Sequence, residues 1–458
     1  MHTIALGIGA VDRTLEETGR DWLWLQGYLP AGYVTDGSVD YGAYIYKAIQ
    51  AAQAQKKKLR LPGGTFGFTD AAGAGAGLGL YIGSTPLTIV GAGIDVTILK
   101  NLSATGRGIN INTAYVNCMG FTIDNNGGSG QALTVSGILC KIGLIKIINQ
   151  ADVSNYALDI SNATLSQFEH MDVEAVNCVS MYNTGYTILR HVFTIPNGGR
   201  ALHMNVCSAC TLYDFSINNS TATAAGLAQL TYLEIIGCRN TTFFSPTFEF
   251  GETNFISIAY FDIEGSSTTA FNNGYLSHEG TATKKFVQLT TTPSQNVVFD
   301  GFEVRTTQSG MTFLDTAIAG CSGIVVKNIY TNNSSAMVGV SNTALCASLS
   351  VENWNDVTAN STWTALNATV FNTKSVTGLA NNIILTVDVA FRRCPYDWRN
   401  KQHCQHCLNT WYVDRRRQCP IQTSGRDNND LYSRRNRLSI SNPSSNQPWH
   451  LSGYNNYC

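Results

Sequence analysis

The feature that most restricts the fold of this chain is a short recurring unit, apolar–polar–apolar followed by a polar turn. Most gaps between its copies correspond to one or two repeats of about 22 to 27 residues. We expect the first and third residues of each unit to point inward and the middle one outward, because strand side chains alternate between faces. The units GFTIDNNGG, HMDVEAVN, VFTIPNGG, DFSINNS, TFEFGE, GFEVRTT and KNIYTNN place the outward positions at Thr122, Asp172, Thr194, Ser216, Glu249, Glu303 and Tyr330.

The repeat predicts a solenoid. One unit cannot bury its apolar face alone, whereas stacked coils bury a continuous interior and share backbone hydrogen bonds from coil to coil. We therefore expect an all-β protein, a right-handed parallel β-helix with a short N-terminal capping helix. The abundance of Gly (42 residues) and the low charged fraction (13%) suit many short strands joined by polar turns. A β-sandwich is the alternative, but its hairpin signals, such as Asn-Gly between alternating runs, are few here.

The N-terminal part of the repeat region should cap the first coil. Within residues 37–68, Ser38 or Asp40 can N-cap a helix, and the side chains that share its apolar face are Ile45, Ala48, Ile49 and Ala52. LRLPGGTFGF then predicts the first strands around a Pro-Gly-Gly turn. We divide the chain into a neck or linker (1–36), a β-helix body (37–390) and an atypical tail (391–458).

Charge and composition exclude several functions. Residues 1–390 hold 19 Lys and Arg against 27 Asp and Glu, and such an acidic body disfavours nucleic acid, which requires clustered cations. No apolar run is long enough to span a membrane. The first residues lack the basic and apolar segments of a signal peptide, so we expect assembly in a reducing cytoplasm. The eight cysteines of the body should then be buried free thiols.

Three stretches resemble parts of a known protein family. GAVDRTLEE at residues 9–17 resembles the neck that leads into the body of bacteriophage tailspikes, which act as capsule or O-antigen depolymerases. LPGGTF at 61–66 resembles the start of a pectate-lyase-superfamily β-helix, and LTIVGAGIDVTILK at 87–100 resembles an early coil of that superfamily. The glycines of this last stretch lead into a strand, whereas a nucleotide fingerprint requires a following helix.

The resemblance implies a function and an assembly. It implies a homotrimer on the virion that attaches to the phage tail or baseplate through its N-terminus and binds bacterial surface polysaccharide. Such a protein is assembled in the host cytoplasm and acts at the bacterial surface. The expected activity is endo-acting cleavage, and glycosidic hydrolysis needs two carboxylates, one as acid and one as base or nucleophile. A lyase that acts by β-elimination and a non-catalytic receptor-binding spike are the alternatives.

Register along the repeat selects the candidate carboxylates, because equivalent positions on adjacent coils lie about 4.8 Å apart. The preferred catalytic group is Asp214 with Glu249 and Glu252, an arrangement that resembles hydrolytic tailspikes. Like charges this close would raise one pKa and supply a general acid. The reserve carboxylates are Asp172, Glu174, Asp262, Glu264 and Glu303, and the candidates for sugar stacking are Tyr213, Tyr232, Phe244 and Tyr260.

Two other chemistries are less well supported. A lyase would need a Lys, Arg or Tyr to abstract a proton from the sugar, and the candidates are Lys284, Lys285 and Arg305. The body has no HxH or HExxH spacing, so the sequence predicts no metal and no cofactor. His170 and His191 precede strand positions, and His203 is expected in a turn.

The tail differs from the rest of the chain. Residues 391–458 hold 11 Lys and Arg against 4 Asp and Glu and lose the repeating unit, so disorder is the default expectation. Read one base later, every codon set for KQHCQHC (401–407) gives the Asn, Ser, Thr, Ile, Val and Ala of the upstream coils, which suggests a frameshift. A zinc module is the alternative, but Cys404 and Cys407 form the only CxxC pair there.

Overall fold

A computed structural model describes residues 3–4, 13–14, 21–69, 79–83, 85–104, 106–125, 128–149, 154–219, 231–251, 259–279, 285–332, 337–341, 346–352, 354–356 and 361–362. The predicted tail, Glu252 and Lys284 lie outside these residues. Up to residue 149 the elements are β1 Thr3–Ile4, β2 Arg13–Thr14, β3 Trp22–Trp24, a 3-10 turn Leu25–Gly27, β4 Asp36–Asp40, α1 Gly42–Ala54, β5 Lys58–Arg60, β6 Gly64–Phe68, β7 Leu80–Ile82, β8 Leu87–Val90, β9 Thr97–Asn101, β10 Ile109–Ile111, β11 Val116–Asp124, β12 Leu133–Val135 and β13 Lys141–Asn149.

The remaining elements are all strands. They are β14 Tyr156–Ser161, β15 Gln167–Ala175, β16 Asn177–Tyr182, β17 Ile188–Pro196, β18 Leu202–Asn205, β19 Thr211–Tyr213, β20 Ser216–Asn219, β21 Leu233–Ile236, β22 Arg239–Phe244, β23 Thr247–Phe250, β24 Ala259–Glu264, β25 Ser267–Asn272, β26 Tyr275–His278, β27 Lys285–Leu289, β28 Gln295–Asp300, β29 Glu303–Thr306, β30 Met311–Asp315, β31 Ile324–Lys327, β32 Tyr330–Thr331, β33 Met337–Ser341, β34 Leu349–Glu352, β35 Asn355–Asp356 and β36 Ser361–Thr362.

The strands stack into a parallel β-solenoid, which confirms the predicted fold. Sheet I is a twelve-stranded ladder that runs from β7 to β36 with one strand per coil. Sheet II contains the other strands of the coils, each paired in parallel with its equivalent one coil on. Among the strands of the described residues, only β1 and β2 pair antiparallel. None of the described residues forms a helix long and apolar enough to cross a membrane.

Helix α1 has the predicted position and the predicted buried face of Ile45, Ala48, Ile49 and Ala52. At the N-terminus of the helix, Asp40 Oδ1 accepts a hydrogen bond from the Gly42 backbone N–H at 2.8 Å. Ser38, the other candidate, bonds instead to Asp36. The helix packs against strands of the first coils, and its role as a cap remains a prediction.

A column of left-handed residues divides sheet II into two faces. At one equivalent position of sheet II in successive coils, φ lies between 49° and 75°; the residues there are Gly120, Leu144, His170, His191, Asp214, Ser245, Asn273, Gly301 and Asn328. The chain turns a corner at this residue, and the next side chain points into the interior, as for Met171 and Phe215. The period-2 alternation therefore restarts at every corner.

The restart corrects one predicted register. In VFTIPNGG we expected Phe193 and Ile195 to point inward and Thr194 outward. The structure buries Val192 and Thr194 instead, and the Thr194 hydroxyl donates to the Ser216 carbonyl at 2.9 Å. The unit begins at Val192 because that residue follows the left-handed His191. The interior also contains all eight described cysteines as free thiols, as predicted.

Candidate active site on sheet I

The outward face of sheet I bears one polar side chain per coil in a single column. Parallel register aligns its members along consecutive coils as Asp159, Ser180, His203, Glu234, Asp262, Gln288 and Asp315. Their Cα atoms are therefore about 4.8 Å apart from one coil to the next. We call this set the sheet I column.

Glu234 is the most strongly bonded carboxylate of the column. Its Oε2 lies 2.6 Å from His203 Nδ1 and 3.2 Å from Arg200 Nε, and its Oε1 accepts from Arg200 Nη2 at 3.2 Å. Burial raises the pKa of Glu234, but the His203 hydrogen bond and the Arg200 charge outweigh it and leave the pKa below its ordinary value. Glu234 is thus held as a carboxylate.

Asp262, the next member, has the opposite tendency. Burial raises the pKa of Asp262, and the negative charges of Glu234 and Glu264 add to the increase. A hydrogen bond donated by the Thr290 hydroxyl to Asp262 Oδ1 opposes it. Glu264 lies two residues further along the same face and accepts from Thr292 Oγ1 at 3.1 Å.

Glu234 and Asp262 form a pair in which one pKa is lowered and the other is raised. They are direct partners on β21 and β24, so their backbones are separated by one coil. Two such carboxyl groups are the usual signature of an acid and a base in one site. Asp159, at the other end of the column, also has a raised pKa because of burial and accepts from Ser161 Oγ at 2.7 Å.

An aromatic and cationic wall borders the pair. The Tyr156 ring stacks on His203 with centroids 5.8 Å apart, and Arg200 Nη1 donates to the Tyr156 hydroxyl at 3.4 Å. Burial raises the pKa of Tyr156, which keeps the phenol neutral. Tyr156 therefore contacts both partners of Glu234, His203 and Arg200.

The sequence did not identify most of these residues. His203 lies within β18 rather than in a turn, and Tyr156, Asp159, Arg200 and Glu234 were not selected. Only Asp262 and Glu264 were among the reserve carboxylates. The sequence signal for these strands was the alternation of apolar and polar residues in LHMN (β18) and LEII (β21). Such four-residue stretches are too short to indicate a strand unless the length of the coil is already known.

The preferred carboxylates lie on sheet II. Asp214 occupies a left-handed corner, where its Oδ2 lies 3.3 Å from His191 Nδ1. Glu249 lies on β23 and accepts from Asn218 Nδ2 at 3.3 Å. Asp214 corresponds to Ser245 on the next coil, so Glu249 is four residues, roughly 13 Å, further along the strand. The structure does not bring Asp214 and Glu249 side by side.

Two of the other reserve carboxylates, Glu174 and Glu303, form ion pairs. Glu174 lies 3.1 Å from Lys146 Nζ. Burial raises the pKa of Asp172 on the same face, and Lys146 opposes that change. Glu303 accepts from Arg305 at 2.9 and 2.7 Å. The two candidate lyase bases among the described residues also form ion pairs, since Arg305 binds Glu303 and Lys285 pairs with Asp315.

The aromatic candidates divide into two groups. Tyr213 and Phe244 stack with centroids 5.1 Å apart on the outer face of sheet II, and Phe244 is 37% exposed. Arg190 lies over Tyr213 at 5.3 Å. Tyr232 and Tyr260 are instead fully buried and stack on Phe250 in the interior, so these two rings are not available to a sugar. Within the described residues no cluster of His, Cys, Asp or Glu has a metal-binding arrangement.

Comparison with known proteins identifies the fold. The chain matches no protein-family model and no curated protein sequence. Among solved structures, PfbA, a surface adhesin of Streptococcus pneumoniae, superposes with a TM-score of 0.51 at 9% identity, over 76% of this chain and 91% of PfbA.

Two further structures are similar at lower scores. The gp42 tailspike of an Acinetobacter phage has a TM-score of 0.48 at 14% identity, over 81% of this chain and 67% of the tailspike. The A-module of an Azotobacter vinelandii mannuronan C-5 epimerase has a TM-score of 0.47 at 14% identity, over 77% of this chain and all of the module. At such identities the likeness concerns the fold alone, a parallel β-solenoid.

Proposed function

We propose that this protein is a phage tailspike that binds host surface polysaccharide and cleaves it by endo-acting hydrolysis at the sheet I column. The observation that carries the proposal is the Glu234–Asp262 pair, two aligned carboxyl groups on adjacent coils whose pKa values are displaced in opposite directions. The tailspike assignment itself comes from the sequence resemblance at 9–17, 61–66 and 87–100.

In the proposed reaction Asp262 is the acid and Glu234 the nucleophile. Asp262 donates its proton to the glycosidic oxygen as the bond from that oxygen to the anomeric carbon breaks, and Glu234 attacks the anomeric carbon to form a glycosyl ester. Ionised Asp262 then takes a proton from water, which displaces Glu234. A spacing of about one coil favours this double displacement, because retaining enzymes hold their carboxyl groups about 5 Å apart. Arg200 and His203 keep Glu234 ionised and oriented.

Substitution of the pair tests the proposal against the sheet II candidates. With purified capsule and O-antigen from candidate hosts, Asp262→Asn and Glu234→Gln should each lower the rate of reducing-end formation by about 10²–10⁴-fold. The competing site is tested by Asp214→Asn and Glu249→Gln. Asp300→Asn, an outward carboxylate paired with Lys327 at 3.1 Å, is the matched control. Full activity in both sheet I variants would refute the proposed site.

The same assay separates the two alternative functions. A lyase would release products that absorb as unsaturated uronates. A receptor-binding spike would bind the polysaccharide and release no oligosaccharide. Hydrolysis requires new reducing ends without that absorbance.

We further propose the assembly that the resemblance implies. Three copies would form a homotrimer, and residues 1–36 would attach it to the phage tail, so the protein would be assembled in the host cytoplasm and act from the virion at the bacterial surface. The mass from light scattering should equal three chains of 49.6 kDa. A monomeric mass at micromolar concentration would contradict this assembly.

A further inference from the structure

Three buried cysteines meet at the corner between sheet I and sheet II, and the proposed function does not use them. Cys207 and Cys210 lie between β18 and β19, and Cys238 lies one coil on, between β21 and β22. Their exposures are 1%, 0% and 0%. The CSAC spacing in the sequence therefore belongs to an interior cluster.

Cys207 is the centre of this cluster. Its protonation is coupled to that of both Cys210 and Cys238. The Thr184 hydroxyl donates to Cys207 Sγ at 3.2 Å and lies 3.7 Å from Cys210 Sγ. The cluster thus joins two consecutive coils and is bonded to a third through Thr184.

Cys207 and Cys238 are aligned across the coil boundary. The register pairs Asn205 with Ile236 before them and Ser208 with Arg239 after them. Equivalent positions on adjacent coils lie about 4.8 Å apart, within the usual 4.4–6.8 Å range of Cα separations for a disulfide. The backbone therefore already has a spacing that a bond between Cys207 and Cys238 requires.

The surroundings also distinguish the three thiols chemically. Hydrogen bonds from Cys210 and Cys238 lower the pKa of Cys207. The same contacts, together with burial, raise the pKa of Cys210 and of Cys238. Cys207 is the thiol that interacts with both of the others, and its thiolate would be the nucleophile in a disulfide-forming reaction.

We propose that Cys207 and Cys238 form an oxidative modification site, where a two-electron oxidant produces a disulfide between consecutive coils. With a diazene such as diamide, Cys207 adds through sulfur to the N=N bond. Cys238 then attacks that sulfur, the S–S bond forms and the S–N bond breaks. The diazene leaves as the hydrazine with both thiol protons. The protein assembled in the reduced state would thereby gain a covalent link beside the coils that bear His203 and Glu234.

The test uses the intact, folded chain and does not depend on the proposed function. The protein is treated with diamide under native conditions, its remaining thiols are alkylated in denaturant, and the disulfides are mapped. Mapping is needed because the chain also contains Cys394, Cys404, Cys407, Cys419 and Cys458. Trypsin leaves all three clustered cysteines on one peptide, whereas additional cleavage after Asp214 and Glu234 separates Cys238 from the others.

We expect a Cys207–Cys238 bond, a mass 2 Da lower for that peptide pair and a higher unfolding temperature after oxidation. Cys238→Ser should abolish the bond and the shift in unfolding temperature, whereas Cys210→Ser should retain both. Cys178→Ser, at a buried thiol that contacts the Val173 carbonyl at 3.5 Å, controls for the loss of any interior thiol. Free Cys207 and Cys238 in oxidised wild-type protein, or a bond mapped to Cys207–Cys210, would overturn the proposal.

Discussion

At the scale of single residues, the Thr290 hydroxyl controls how readily Asp262 releases its proton. That hydrogen bond lowers a pKa that burial and neighbouring charge raise. Thr290→Val should therefore raise the pKa of Asp262 further, so that the acid stays protonated to higher pH. The alkaline limb of the pH–activity profile should move to higher pH, while the acid limb, set by Glu234, should stay in place.

The neighbouring threonine provides the matched control for this prediction. Thr292 bonds to Glu264 instead of Asp262, so Thr292→Val should leave the alkaline limb nearly unchanged. A shift of equal size in both variants, or a shift to lower pH in Thr290→Val, would show that Asp262 is not the titrating acid.

His278 is a second residue whose protonation is coupled to the fold. Its side chain is 1% exposed, neither ring nitrogen has a hydrogen-bond partner among the described residues, and burial lowers its pKa to about 4. The unfolded chain, with an ordinary histidine pKa near 6.5, binds the proton more tightly. The contribution of neutral His278 to the free energy of unfolding should therefore be fully present above pH 6.5. The free energy of unfolding should fall by about 3 kcal/mol as the pH drops towards 4.

Replacement of the ring isolates this contribution. His278 lies beside Tyr260 and Phe286, so His278→Phe keeps an aromatic ring in an apolar site. The free energy of unfolding of this variant should lose most of its pH dependence between 6.5 and 4. Substitution of the exposed His170 by Gln should preserve the wild-type slope, and an unchanged slope in His278→Phe would contradict the assignment.

At the scale of the element, the corners explain which parts of the structure were predictable. The repeating unit identified the part of sheet II that follows the left-handed residue of each coil, because aromatic and aliphatic residues such as Phe215 and Phe248 mark its inward positions. It failed at Thr194 because the left-handed His191 restarts the alternation, and backbone conformation at a histidine is not readable from sequence. Sheet I was largely missed, since its strands are short, and with it Glu234 and His203.

One corner of each coil also offers a stability test. Asn162, Asn183 and Val206 occupy equivalent left-handed positions, and Asn183 Nδ2 donates to Asn162 Oδ1 at 2.6 Å. Left-handed backbone costs an ordinary residue about 1–2 kcal/mol, and Asn tolerates it better. Val206 is 54% exposed, so Val206→Asn should lose little burial and stabilise the protein by about 1 kcal/mol in urea unfolding.

The control for this substitution is an exposed valine with ordinary backbone. Val39 lies in β4, is 42% exposed and does not have a positive φ. Val39→Asn should be neutral or destabilising because Asn is disfavoured in strands. Equal losses of stability at both positions would mean that the left-handed backbone at Val206 does not destabilise the protein.

At the scale of the whole molecule, the interior is a continuous stack that links coil to coil. Phe243, Phe271 and Phe299 lie on three consecutive coils with ring centroids 4.5 and 5.1 Å apart. Each coil of a solenoid contacts only its neighbours, so stability depends on these interfaces. Loss of the middle ring should weaken two interfaces at once, and the damage should extend beyond its own coil.

Phe271→Ala should therefore lower the free energy of unfolding by about 3–5 kcal/mol, the usual cost of removing a buried aromatic ring. Phe244 is the matched control, because it follows Phe243 directly but stacks on the outer face, where it is 37% exposed. Phe244→Ala should cost about 1 kcal/mol or less. Hydrogen exchange should show faster opening in β22 and β28 of Phe271→Ala as well as in β25. Faster exchange confined to β25 would contradict coupling through the stack and would indicate that each coil is stabilised locally.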